Sequence, residues 1–260
     1  MELIKKQIHM NQWKGNVTTQ ITLDDDFIVP DTMDDMEQVM LDTGEIQIET
    51  VKNQGDKVAV KGKLEFQVLY RRESGGLQTL GGNIPFEEVV NVPGLEEKDY
   101  VGLNWMLEDL NTDMINSRKL GVQAIITLQV RVETLRDVEA AVDVDMESQS
   151  RGAGAGLSDT DASGQVQVET LKRTATAAAI AVRRKDTYRI KEELSLTGGK
   201  PNIGQLLWRE MKLRDITVKP LDGRLHLDGE LSVFVIYSAE DENMPMQWME
   251  ETLPFSGDME

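Results

Sequence analysis

Val58-Ala59-Val60-Lys61-Gly62-Lys63-Leu64-Glu65-Phe66-Gln67-Val68-Leu69-Tyr70 is the stretch on which the fold turns. From Val58 to Tyr70 every second residue is apolar or glycine, and Lys61, Lys63, Glu65 and Gln67 stand between them. A period of two sends one set of side chains to a buried face and the other to water, the signature of a half-buried β-strand. Gly62 interrupts the apolar set and marks a bulge or a close backbone approach.

The same line returns as Leu225, Leu227, Gly229, Leu231, Val233, Val235 and Tyr237. The glycines are 167 residues apart (229 − 62), and so are the tyrosines (237 − 70). Carried backward, this offset aligns Val51-Lys52 with Val218-Lys219, Ile46 with Leu213, Phe27 with Leu194, Leu23 with Ile190 and Ile21 with Tyr188. Past the tyrosines the offset grows to 169 (254 − 85), so that Leu80, Ile84, Pro85 and Phe86 align with Met249, Leu253, Pro254 and Phe255. The two extra residues fall where Arg72 to Gly76 and Ser238 to Asn243 read as exposed hairpin loops, which tolerate length changes. The chain therefore reads as two copies of one strand-rich module, residues 1–136 and 165–260.

Each copy is expected to hold a first strand, near Gln20 to Val29 in copy one, then a short helix packed on the sheet, then antiparallel strands. The helix is placed at Asp31 to Leu41 and at Pro201 to Met211, because Met36, Val39 and Met40, aligned with Ile203, Leu206 and Leu207, are spaced three and four apart. Copy one continues with a strand from Tyr100 to Glu108, a turn at Asn111 to Ser117 and a long alternating strand from Leu120 to Val132. The fold class expected is mostly β, two tandem β-sandwich-like domains. Copy two is expected to lack its closing strands, because the sequence given ends at the residue matching position 91; an open sheet edge then offers self-association. Residues 137–164, with seven acids and the run Arg151-Gly152-Ala153-Gly154-Ala155-Gly156, read as a flexible acidic linker.

Composition narrows the function. The 260 residues are 40% hydrophobic and 28% charged, enough for a packed core. Against 28 Lys and Arg stand 46 Asp and Glu, a net charge of −18, which disfavours nucleic acid and anionic lipid; a basic protein surface is a better match, and the simpler reading is that the acids keep a surface-rich protein soluble. No cysteine is present, so disulfides and thiolate chemistry are excluded. No apolar run reaches the roughly 20 residues that span a bilayer, so no membrane insertion is expected.

Catalytic groups are scarce. The two histidines are His9, in the first strand without a nameable partner, and His226, on the polar phase of the repeated strand. Asp24-Asp25-Asp26 with Asp34 and Asp35 match no cation loop, and copy two has Lys191-Glu192-Glu193 at the aligned triplet. Leu196 to Pro201 lacks the spacing of a phosphate loop and reads as a turn into a helix. No catalytic residue, cofactor or metal is assigned, and a hydrolase built on paired carboxylates is the least supported class. Of the four tryptophans, Trp208 aligns with Leu41 and reads as helix-to-sheet packing, whereas Trp248 and Trp105 are candidate contacts for a partner or a sugar ring.

The opening Met1 to Lys6, Phe27-Ile28-Val29-Pro30-Asp31, the strands ending in Leu69-Tyr70 and Ile236-Tyr237, the Ile84-Pro85-Phe86 and Leu253-Pro254-Phe255 tripeptides, and Arg189 to Leu196 leading to Pro201-Asn202-Ile203-Gly204 resemble the SPOCS-domain family. That resemblance implies a protein of endospore-forming, mostly anaerobic clostridia, made in the mother cell and used at the forespore surface. It implies a non-enzymatic scaffold for spore coat assembly, with spore coat proteins and the coat's ATP-hydrolysing morphogenetic protein as partners. Relatives of the SipL type carry a C-terminal LysM module, which would follow the present residues. The alternative from the residues is a carbohydrate- or peptidoglycan-binding module using Trp248 or Trp105.

Overall fold

A computed structural model describes residues 2–145, 173–174, 176, 179–180, 183, 187–196, 198–240 and 246–259. Its elements are β1 (Glu2–Ile28), β2 (Met36–Asn53), β3 (Lys57–Arg72), β4 (Leu77–Asn91), β5 (Tyr100–Asn116), β6 (Lys119–Asp145), β7 (Ile203–Leu221), β8 (Arg224–Ala239) and β9 (Met246–Met259). They form three antiparallel three-stranded sheets in the orders β1-β6-β5, β2-β3-β4 and β7-β8-β9.

The alternating stretches are the central strands of the second and third sheets. In β3 the buried set includes Val58, Val60, Leu64, Phe66, Val68 and Tyr70. They share one hydrophobic cluster with Leu120, Val122, Ala124, Ile126, Leu128 and Val130 of β6, so the sheets of copy one bury their apolar faces against a common core. That burial is the main force holding them, at roughly 25 cal/mol per Å² of apolar surface removed from water.

The third sheet repeats the register of the second. Gly62 pairs with Phe86 and Gly229 with Phe255; Leu64 pairs with Ile84 and Leu231 with Leu253. The buried Tyr70 hydroxyl donates to the Asp34 carbonyl at 3.1 Å, and the Tyr237 hydroxyl donates to the Pro201 carbonyl, at the aligned position, at 3.3 Å.

No helix is present among the described residues, and the helices expected at Asp31–Leu41 and Pro201–Met211 are strand from Met36 and from Ile203 onward. Bulges explain the misreading. The register slips between Met36 and Gln38 and between Val39 and Leu41, and again between Ile203 and Gln205 and between Leu206 and Trp208. One extra residue in a strand returns positions three apart to the same face, imitating a helical turn. Met36 thus faces Arg72 and Val39 faces Tyr70, on one side of β3. The Gly198-Gly199 turn, with φ of 74° and 70°, leads into the strand that begins at Ile203 and not into a helix.

The first and last strands of copy one are longer than expected. β1 begins at Glu2, β5 runs through the expected turn to Asn116, and β6 continues to Asp145. The acidic stretch from Asp137 to Asp145 is therefore strand, not linker, paired with β1, where Lys5 Nζ lies 2.9 Å from Glu139 and His9 Nδ1 2.5 Å from Asp137. The rest of the expected linker, 146–164, lies outside the described residues, as does the centre of the second hairpin loop, 241–245.

Candidate interaction surfaces

The second and third sheets meet through outward-facing residues. Across the register, Leu69 of β3 faces away from the copy-one core while Val68 and Tyr70 face into it. Leu69 packs with Leu207 and Trp208 of β7, flanked by Leu77, Phe234 and Ile236. The Thr79 hydroxyl donates to the Leu207 carbonyl. The bulge at Leu207 opens that carbonyl to a partner outside its own ladder. Trp208, expected to pack a helix on a sheet, is instead buried at this junction between the copies.

Beside the junction runs an open groove of about 690 Å³ between β7 and the second sheet, with Gly44, Glu45, Glu65, Gly81, Arg209 and Lys212 in its walls. Two of its acids face bases, Glu65 with Lys63 at 2.6 Å and Glu210 with Lys212.

A second tie joins the run-up to copy two with copy one. The Ile180 amide donates to the His9 carbonyl at 3.2 Å. Arg183 pairs with Glu133 and lies 3.9 Å above the Tyr100 ring. The hydrogen bond from Asn11 (2.8 Å), then Arg183, holds the Glu133 carboxyl below the usual range against the opposing effect of burial.

Trp248 and Trp105 are exposed and lie in different sheets, on β9 and β5. Trp248 sits 6.3 Å from the Phe234 ring, and the Lys200 ammonium stands 5.0 Å from its centroid.

The carboxylates considered for a cation site are engaged elsewhere. Arg118 binds Asp31 and Asp35 (3.1 and 3.0 Å) together with the Val29 and Met33 carbonyls, Arg72 binds Asp34, and Lys119 binds Asp26. Among the described residues no group of three or more His, Asp or Glu side chains is placed to hold a metal. No helix there is long and apolar enough to cross a membrane.

His226 lies between carboxylates, Nδ1 2.6 Å from Asp258 and Nε2 3.1 Å from Asp228, with the Ser256 hydroxyl 3.4 Å from Nε2. The hydrogen bond to Asp258 raises the imidazole above its ordinary pKa, against a smaller lowering by burial. The hydrogen bond from Ser256 lowers that of Asp228. A serine, a histidine and an aspartate so arranged have the members of a nucleophilic triad. Here, however, Ser256 donates to Asp228 at 2.9 Å, and the cross-strand register alone accounts for the cluster: Lys219, His226 and Asp258 are opposed on β7, β8 and β9.

The fold and these surfaces define a mostly β protein whose second and third sheets share one register and meet at an apolar junction. The chain belongs to the SipL family, matching its SPOCS domain over residues 35–115 and 202–260, more than half its length. The two matched segments begin at aligned positions, 167 residues apart (202 − 35). No curated protein and no solved structure matches the chain.

Proposed function

We propose that this protein is a structural adaptor in endospore coat assembly, acting through the faces and edges of its sheets and working in the mother cell at the forespore surface. A sporulation-related role follows from its family, which is not a known enzyme family. The observation that carries the adaptor reading is the use of its ionisable groups. Arg118, Arg72, His226 and their carboxylates close ladders and loops, and none converges in an enclosed pocket. In copy one, β2 to β4 and β5 with β6 pack face to face as a sandwich-like unit, and the β7-β8-β9 sheet of copy two repeats the register of β2 to β4. Coat proteins, the morphogenetic ATPase among them, are the expected partners.

The test is deletion of the gene in a sporulating host, with a fluorescent fusion restored in its place. A ring of fluorescence around the forespore and a mislocalised coat in the deletion are expected. A fusion spread evenly through the mother cell, with a normal coat in the deletion, would contradict the reading.

Glycan binding keeps one observation, the Phe234 and Trp248 rings side by side on the third sheet. Peptidoglycan fragments should then shift tryptophan emission, and Trp248→Ala should abolish the shift.

A further inference from the structure

The contact between the copies joins two unlike patches, and the repeat leaves a spare of each. Copy two contributes the bulge of β7, Leu207 and Trp208, and copy one the outer face of β3 and β4, Leu69, Leu77 and Thr79. At the offset of 167, Leu207 and Trp208 align with Met40 and Leu41 of β2. The same bulge lies there, between Val39 and Leu41 as between Leu206 and Trp208. Leu69 aligns with Ile236, and at the offset of 169 Leu77 and Thr79 align with Met246 and Trp248. Copy one thus holds an unused bulge and copy two an unused outer face.

Both spares are apolar and open. Met40 and Leu41 are 48% and 41% exposed, Met246 and Trp248 54% and 57%, whereas Leu69, Leu207 and Trp208 are buried in the formed contact. Ile236 and Trp248 are opposed across β8 and β9, and Met246, two residues before Trp248, shares their face. That face is the opposite one from Val233, Val235 and Tyr237, so closing the inner side of copy two does not involve it.

The spares also match each other. In the formed contact the bulge carries the indole, Trp208, and the face a threonine, Thr79; between the spares the bulge carries Leu41 and the face the indole, Trp248. The large ring changes sides, and one ring is kept. The Thr79 hydroxyl donates to the Leu207 carbonyl, which the bulge releases from its ladder. Trp248, at the aligned position, has an indole N–H to offer the Met40 carbonyl in the same way.

We propose that the Met40-Leu41 bulge of one molecule docks on the Ile236, Met246 and Trp248 face of a second copy, repeating between molecules the contact that joins the two halves of one. The occupant is a second copy because each spare has its complement on this same chain, in an arrangement the chain already forms. The two patches differ, so the contact is head to tail, and each added molecule presents a new bulge at one end and a new face at the other. The Lys200 ammonium, 5.0 Å from the Trp248 ring, moves to the rim on its flexible stem. Head-to-tail docking goes beyond the adaptor reading and does not rest on it.

The chain has no cysteine, so introduced thiols report the contact cleanly. Met40→Cys and Met246→Cys, both at exposed positions, are oxidised mildly, each alone and in a mixture; in control mixtures each meets Glu97→Cys, at an exposed loop residue outside both patches. Disulfide-linked dimer is expected in the first mixture at roughly tenfold or more above the controls, since docking raises the effective concentration of the two thiols. A chain carrying both substitutions should give a ladder of higher species, and Leu41→Asp in the Met40→Cys variant should remove the dimer. Dimer formed as readily by either variant alone would mean that like patches meet, and would overturn head-to-tail docking. Dimer no more abundant than in the controls would overturn it too, the patches then being covered by the chain's own residues or by another protein.

Discussion

Phe86 lies directly across β3–β4 from Gly62, and its ring fills the space that a side chain at Gly62 would need, with Cζ 2.8 Å from the position of such a Cβ. Phe255 stands in the same relation to Gly229, at 2.5 Å. The glycine of the alternating strand and the phenylalanine of the Pro-Phe step are thus one device, an aromatic ring laid over a bare backbone.

Alanine at Gly62 should be the costlier of the two glycine substitutions. Its Cβ would also meet the Gln47 carbonyl at 2.6 Å, which is backbone and cannot swing aside, whereas at Gly229 the close atoms are all of the Phe255 ring. Gly62→Ala is expected to lose about 1 to 3 kcal/mol by overpacking, with Gly229→Ala losing less. Chemical denaturation with unchanged m-value checks the order; equal losses would contradict it.

Tyr70→Phe and Tyr237→Phe remove the phenol hydroxyl from equivalent sites, of which the Tyr70 one also has Gln78 Oε1 at 3.0 Å. Burial, and next the Asp34 charge, push the Tyr70 phenol up, so it stays a neutral donor across the ordinary pH range. The loss at Tyr70 should be about 1 kcal/mol, and smaller at Tyr237, whose bond is longer. Thermal unfolding midpoints report the difference.

Trp208→Ala should uncouple the copies rather than unfold either. The side chain is buried against Leu69 from the other sheet, so its removal is expected to take on the order of 3 kcal/mol from the junction. Calorimetry should show one transition for the parent and two for the variant. A single transition, merely shifted, would mean that Trp208 supports only its own sheet.

How much of this was legible in the sequence depended on whether a residue's role was local. The alternation of Val58 to Tyr70 and its return at Leu225 to Tyr237 report a period of two, which survives as strand whatever packs on it. Met36 to Val39 misled because a bulge at Glu37 gives a spacing of three in extended chain, and no residue type announces the bulge. The acids from Asp137 to Asp145 read as linker because their partners, Lys5 and His9, lie more than a hundred residues away in sequence. Trp208 could be recognised as packed but not as packed between copies, since that depends on how two sheets meet. Trp105 and Trp248 are exposed and lie in separate sheets.

His226 gives the third sheet a pH dependence of definite sign. Its folded pKa is raised above the unfolded value of 6.5, so its contribution is complete below about pH 6.5 and is lost as pH rises through the folded value. Asp228 works oppositely, its pKa lowered from 3.8, with stability lost only as pH falls through its folded value. The charged groups facing His226 are Asp228 and Asp258, with Lys219 and Arg224 paired to those same carboxylates. Unfolding midpoints should fall from pH 6 to pH 8 in the parent, and His226→Gln should flatten that slope. A parent profile that rises over this interval would contradict the assignment.

The two glycines permit the most direct test of a shared plan, by nuclear Overhauser contacts in solution. Gly62 should show contacts to the Phe86 ring and Gly229 to the Phe255 ring, with both pairs of glycine Hα protons shifted upfield by the rings above them. Helical contacts through residues 203–211, or a Gly229 that faces any strand partner but Phe255, would show that the third sheet does not repeat the second.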